Sequence, residues 1–171
     1  MERSTFDQRK EEVLEAAITV FSREGYHRVT TADISREAGI SQPYIYRFYT
    51  SKEELFLAAV DRIYDRITAA FLAVPPGPDL ELRLGRQYEA LMATHPREVI
   101  LQGQTWGIRE QSLRIRVSEI LVGLVDLVEQ AFVREQIPGA RAKAEDFLAR
   151  GMLCNLSLSL EAPDLYRSRM G

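Results

Sequence analysis

Between Thr30 and Lys52 the chain gathers side chains suited to reading a nucleic acid. The amide of Gln42 can pair with adenine, and the guanidinium of Arg47 with guanine or phosphate. Pro43 and Tyr44 offer apolar contact to a thymine methyl, and the Tyr46 hydroxyl reaches toward phosphate. No comparable set exists for catalysis. The only histidines are His27 and His95 and the only cysteine is Cys154; there is no Cys/His metal spacing, no Gly-rich phosphate loop and no nucleophile elbow. His95 and Glu98 stand three apart, as in half of a carboxylate metal site, but the order is reversed and a second copy is missing. The sequence therefore points to a binding protein, with no enzyme activity, no metal and no cofactor.

The groove-reading side chains need elements to hold them. Thr30 is placed as the N-cap of a short helix, Asp33 as the reciprocal half of a capping box, and Val29 and Ile34 as a hydrophobic staple. Gly39 ends that helix because it can take a positive φ. Ser41 is placed to cap a second short helix, whose first turn tolerates Pro43 because those N–H groups have no intrahelical partner. Ile34, Ala38, Ile40 and Ile45 are expected to face inward, leaving Gln42, Pro43, Tyr44, Tyr46 and Arg47 outward. Two short helices around a glycine-containing turn are a helix-turn-helix. Ser51, Lys52 and Glu54 begin the next helix, placing a cation where phosphate would meet helix N-terminal amides.

With these residues in view, positions 7 to 67 resemble the DNA-binding domain of the tetracycline-repressor (TetR) family. The likeness rests on Thr-Thr-Ala-Asp-Ile at 30 to 34 and on Gly-Ile-Ser-Gln-Pro-Tyr-Ile-Tyr-Arg-Phe-Tyr-Thr-Ser-Lys-Glu-Glu-Leu at 39 to 55. Gly39, Tyr46, Phe48, Tyr49 and the Ser51-Lys52-Glu53 run match signature positions of that family. Arg47 stands where histidine is frequent, and Pro43 and Tyr44 where small residues are common. These departures bear on the bases read and leave the fold untouched. The resemblance implies a double-stranded DNA operator contacted by Thr30, Thr31, Ser41, Gln42, Pro43, Tyr44, Tyr46, Arg47 and Lys52.

Hydrophobic residues make up 46% of the 171 residues and charged residues 27%, ordinary proportions for a globular protein. The single cysteine excludes an internal disulfide framework, and no leader or membrane-length apolar run is evident, so a cytoplasmic protein with no membrane partner is expected. Net charge is −3. Residues 1–52 hold eight cations and eight carboxylates, yet Ala38 to Lys52 has Arg47 and Lys52 and no carboxylate. Such a neutral head gains few phosphate contacts, so firm binding should need two heads on one duplex. Arg3, Arg9 and Lys10 are further candidates for phosphate contact.

The remainder reads as helices. Val13, Leu14, Ala17, Ile18 and Phe21 mark one face of a helix over 7–24, which Gly25 stops. A helix over 52–73 with Phe56, Val60, Ile63, Ile67 and Phe71 inward ends at Pro75-Pro76-Gly77-Pro78. It leaves the head as a rod able to convey a shift from one end to the other. Further helices are expected over 79–94, 97–106, 109–136 and 141–160. The 109–136 helix is apolar almost all round, so it must be covered on more than one side, most simply by another subunit. The fold class is all-α: a helix-turn-helix head over 1–52 joined by the long helix to a helical body over 53–171.

The resemblance adds roles for that body. It implies a pocket for a small, largely apolar effector, and Phe71, Tyr88, Met92, His95, Gln102, Gln104, Trp106 and Arg109 fall in segments expected to converge there. It also implies a homodimer through the last two helices, with Leu121, Leu124, Val128, Phe147, Met152 and Leu156 as interface candidates. The implied function is a ligand-responsive repressor binding a near-palindromic operator as a dimer. The alternative from another class is a helical enzyme or small-molecule carrier that keeps a helix-turn-helix as scaffold.

Overall fold

The computed structural model describes residues 2–166, with side chains from residue 5, and every regular element among them is helical. In chain order these are α1 (Glu2–Glu24), α2 (Thr31–Glu37), α3 (Gln42–Ile45), α4 (Lys52–Leu72), α5 (Leu80–Thr94), α6 (Pro96–Thr105), α7 (Gln111–Arg134) and α8 (Ala140–Ser159), followed by a single 3₁₀ turn at Pro163–Leu165. The expected helices are all present, and α1 begins earlier than expected. The side chain of Arg3 lies outside the described residues, as do the last residues of the body.

The chain divides into two compact units, one ending at Arg62 and the other starting at Ile63. The division falls inside α4, whose first half belongs to the core of the head. Phe56 is fully buried there, its ring edge-on to Phe21 at 4.9 Å and to Tyr26 at 4.8 Å. Val13, Leu14, Ala17 and Ile18 of α1, Ile34 of α2 and Ile45 of α3 complete this core. Each of these side chains larger than alanine contributes about 1.5–3 kcal/mol by leaving water. Ala38 and Ile40, expected inward, are only half-buried. Their place beneath α3 is taken by Phe48 and Tyr49, both buried.

Lys52 also serves this unit. Its Nζ donates to the Tyr26 carbonyl at 3.0 Å and lies 4.5 Å from the centre of the Tyr26 ring, fastening the start of α4 to the chain just after α1. Arg62, on the same helix, pairs with Glu11 of α1.

In the second unit the Pro75–Pro78 loop exposes carbonyls that its prolines cannot satisfy by donation. Arg83 meets them: its Nη1 donates to Pro75 O at 2.8 Å, Nη2 to Gly77 O at 2.9 Å and Nε to Pro78 O at 3.0 Å. An elbow at His95-Pro96 joins α5 to α6. Glu98 of α6 is buried and is paired with Arg66 of α4, which removes the penalty of a lone buried carboxylate. Arg141 at the start of α8 spans Asp126, Glu129 and Glu145, clipping α8 to α7.

Residues Leu113, Val117, Leu124, Val128 and Phe132 of α7 form a stripe at helical spacing, and all are buried within the chain itself. Phe132 packs on Phe147, which packs in turn on Phe71. Three of the expected interface residues, Leu124, Val128 and Phe147, are therefore core residues of one subunit, with 5%, 1% and 8% of their surface exposed. They have no free face for a second copy. Leu121 and Met152 are half-buried, and Leu156 alone of the six is exposed. Other exposed apolar side chains mark where α7 and α8 remain uncovered: Ile115, Val122 and Val133 on α7, Leu153 with Leu156 on α8, and Leu160 just past its end.

Candidate nucleic-acid interface and body cavity

The capping box at the start of α2 is formed in both directions. Thr30 Oγ1 accepts from Asp33 N at 3.3 Å, while Asp33 Oδ2 accepts from Thr30 N at 3.0 Å and from Thr30 Oγ1 at 2.6 Å. These bonds from Thr30 hold the Asp33 carboxyl below its ordinary value. Two helical turns later Gly39 adopts φ +65°, which any residue with a Cβ would strain to match. Ser41 is the N-cap of α3, but its side chain makes no capping bond; it is exposed beside the outward face.

That outward face is as the sequence arranges it. Ile45 is buried and pins α3, while Gln42, Pro43, Tyr46 and Arg47 are exposed and Tyr44 is half-buried. Two sets of contacts hold these side chains. Behind the turn, Thr31 Oγ1 accepts from Gln42 Nε2 at 2.7 Å and stands 3.1 Å from the Tyr46 hydroxyl. Alongside, Arg47 stacks on the Tyr44 ring at 5.1 Å, Tyr44 meets Phe48 edge-on at 5.2 Å, and Phe6 of α1 covers Phe48 at 4.8 Å. Side chains fixed in this way lose less entropy on meeting a ligand.

The candidate contacts thus separate by geometry. Gln42, Pro43, Tyr46 and Arg47 are presented outward. Thr31 is buried with its hydroxyl occupied, which suits positioning, and the Thr30 hydroxyl is spent on Asp33. Lys52 is half-buried and bonded to Tyr26, so its ammonium has structural work beyond any phosphate contact. Phe6 was not legible as part of this face, since an aromatic residue near a chain start has no periodic partner in sequence.

The second unit holds a partly open cavity of about 980 Å³. Of the candidate effector residues, Phe71, Tyr88 and Gln102 line it. Met92, His95, Gln104, Trp106 and Arg109 do not: Trp106 and Arg109 are exposed at the end of α6 and beyond, and His95 sits at the elbow with its Nδ1 2.8 Å from Thr94 Oγ1. This distribution has a physical origin. The wall opposite α5 is built by α8, not by the α6–α7 connection. Its contribution includes Asn155, buried and in contact with the cavity, a polar residue inside the run from Met152 to Leu160 that sequence reading passed over. The Tyr88 hydroxyl is 2.5 Å from Asn155 Oδ1 and 3.0 Å from Gln102 Oε1, and Asn155 Nδ2 donates to Gln102 Oε1 at 2.9 Å. Burial pushes the Tyr88 hydroxyl well above its ordinary pKa.

A capped helix, a glycine turn and a second helix with an exposed polar face define a helix-turn-helix DNA-binding protein. Residues 13–59 match the sequence model described as "Bacterial regulatory proteins, tetR family". Among curated proteins, the nucleoid occlusion factor SlmA of Glaesserella parasuis is 27% identical over 91% of this chain and 80% of its own length. The transcriptional activator FasR of Mycolicibacterium smegmatis is 38% identical over 37% of this chain and 29% of its own. In structure, a TetR-like transcriptional regulator from Rhodococcus sp. RHA1 superposes with a TM-score of 0.76 over 92% of this chain and 87% of its own, at 22% identity. The fatty acid degradation regulator FadR of Bacillus halodurans superposes with 0.74 over the same shares at 16% identity. Residues 13–59 are thus a tetR-family DNA-binding region, and the chain as a whole shares its fold with TetR-like transcriptional regulators. No helix among the described residues is long and apolar enough to cross a membrane.

Proposed function

We propose that the chain acts as a homodimeric, effector-responsive repressor at a near-palindromic operator. One observation carries the DNA reading: the outward face of α3 presents Gln42, Pro43, Tyr46 and Arg47 while Thr31 holds two of them from behind. Two such heads would enter successive major grooves about 34 Å apart. The dimer would form through the exposed apolar side chains of α7 and α8, with Val122, Leu153, Leu156 and Leu160 replacing the buried Leu124, Val128 and Phe147 as its contacts. A small, largely apolar effector would enter the cavity beside Phe71, Tyr88 and Gln102. It would favour a state in which the heads no longer match the operator; a coupling of about 1–3 kcal/mol suffices, provided the effector prefers one state. A cytoplasmic setting follows from a DNA target.

Selection of bound duplexes from a random library, followed by transcription from the enriched sequence, tests this. A near-palindrome should emerge, and the protein should lower transcription from a promoter containing it. Enrichment of no sequence ends the DNA reading, while raised transcription replaces repression by activation. A second reading draws on the 91% span shared with the nucleoid occlusion factor. On that reading the DNA-bound protein has a role beyond the neighbouring promoter, and enriched sites would be scattered through the genome.

A further inference from the structure

The polar end of the body cavity is built from three uncharged side chains, Tyr88 of α5, Gln102 of α6 and Asn155 of α8, exposed by only 7%, 6% and 1%. Tyr88 has a single hydroxyl hydrogen and stands within bonding distance of two acceptors, Asn155 Oδ1 and Gln102 Oε1. It can serve one of them fully at a time. Asn155 Nδ2 adds a donation to Gln102 Oε1 and none to its own oxygen. Counting the second amide hydrogen of Asn155 and those of Gln102 Nε2, the cluster offers donors as well as acceptors and carries no charge.

Charge at the rim points the same way. The lining includes Asp79, Glu81, Glu89 and Glu135 against Lys143 and Arg150. Arg150 is already paired with Glu81. An entering carboxylate would shed its water with no cation at the cluster to replace it. A protonated amine would bury a charge among neutral groups at comparable cost. A neutral hydroxyl or amide can exchange hydrogen bonds with these side chains without burying a charge, while Phe71, Phe147, Leu121 and Met152 cover an apolar remainder.

Building on the reading of this unit as an effector domain, we propose that its cavity takes an uncharged amphiphile with a hydrogen-bonding head, such as an alcohol or primary amide, and discriminates against carboxylates.

Calorimetry of the full chain at pH 8 with two matched pairs, decanamide against decanoate and biphenyl-4-carboxamide against biphenyl-4-carboxylate, tests this. At least one amide should bind ten-fold or more tightly than its carboxylate. Asn155→Leu, nearly isosteric, should retain binding and lose that preference; Gln102→Met serves if the first variant does not fold. Equal or tighter binding of the carboxylates, no binding of either pair, or an unchanged preference in the folded variant overturns the proposal. The effector reading has its own test: it fails if the small-molecule extract of the host cell leaves the operator complex unaltered, whichever probe binds.

Discussion

Gln42 reaches back across the turn of the helix-turn-helix to Thr31, its Nε2 donating to Oγ1 at 2.7 Å. The acceptor is buried and the donor is exposed, so the bond joins the core of the head to its reading face. The Tyr46 hydroxyl meets the same oxygen at 3.1 Å. One threonine thus fixes two side chains proposed to touch DNA.

Thr31→Val keeps the shape and removes the hydroxyl. Gln42 and Tyr46 are free to turn to water, so the fold should keep most of its stability. Operator affinity should fall about five-fold, for the roughly 1 kcal/mol of one preorganising hydrogen bond, and discrimination at the base read by Gln42 should weaken. Competition binding against operators altered at single positions measures both. Unchanged discrimination would mean that Gln42 is positioned by something else.

Arg47→Ala and Lys52→Ala should part company. Arg47 is exposed and only stacked on Tyr44, so its loss should cost roughly 1–3 kcal/mol of operator binding, relax preference at one base pair and leave the melting temperature alone. The Lys52 ammonium is bonded to the Tyr26 carbonyl, so its loss should lower the melting temperature as well as weaken binding evenly over sequences. Thermal denaturation of the two variants separates the roles.

The helices were legible because their signals are local. Thr30 with Asp33, Gly39, Pro43 and the Pro75–Pro78 loop each act within one turn of the chain, and the structure places a cap, a turn or a stop at every one of them. The outward face of α3 was legible for the same reason, since a four-residue helix with Ile45 inward has few choices. Partners distant in sequence were not. An apolar stripe such as Leu124 and Val128 reads identically whether its cover is α8 of the same chain or a second subunit. Trp106 and Arg109 look like pocket residues by type, yet only the packing of α5, α6 and α8 decides that Asn155 occupies that place.

Both ends of the pH scale should find weak points in the head. Hydrogen bonds from Thr30 and Thr50 lower the Asp33 and Glu54 carboxyls, so each stabilises the fold above the ordinary carboxyl range and loses that contribution as pH falls through its folded value. Burial raises Tyr49 to about 12, so its contribution is complete below the ordinary value of 10.0 and is lost as pH rises between 10.0 and about 12. Tyr49→Phe should flatten the alkaline limb and leave the acid limb in place. Melting temperatures across pH 3 to 12 record the two limbs, and an alkaline limb unaltered in Tyr49→Phe would assign it to Tyr64 or Tyr88, which burial also raises.

The last contrast concerns which apolar residues of α7 and α8 face a partner. Leu124→Glu places a carboxylate where 5% of the side chain is exposed and no cation is near in the α7 stripe, so it should cost several kcal/mol and unfold the body. Leu156→Glu alters a side chain that is 43% exposed, and Leu153→Glu one that is 37% exposed. Within a single subunit these changes should cost little. If the proposed dimer rests on that face, each should give a folded monomer whose operator binding is lost at concentrations where the parent binds, because a neutral head alone has few phosphate contacts. Circular dichroism and sedimentation together sort the outcomes: a folded dimer in Leu153→Glu and Leu156→Glu moves the interface off α8, and a folded monomer in Leu124→Glu returns Leu124 to it.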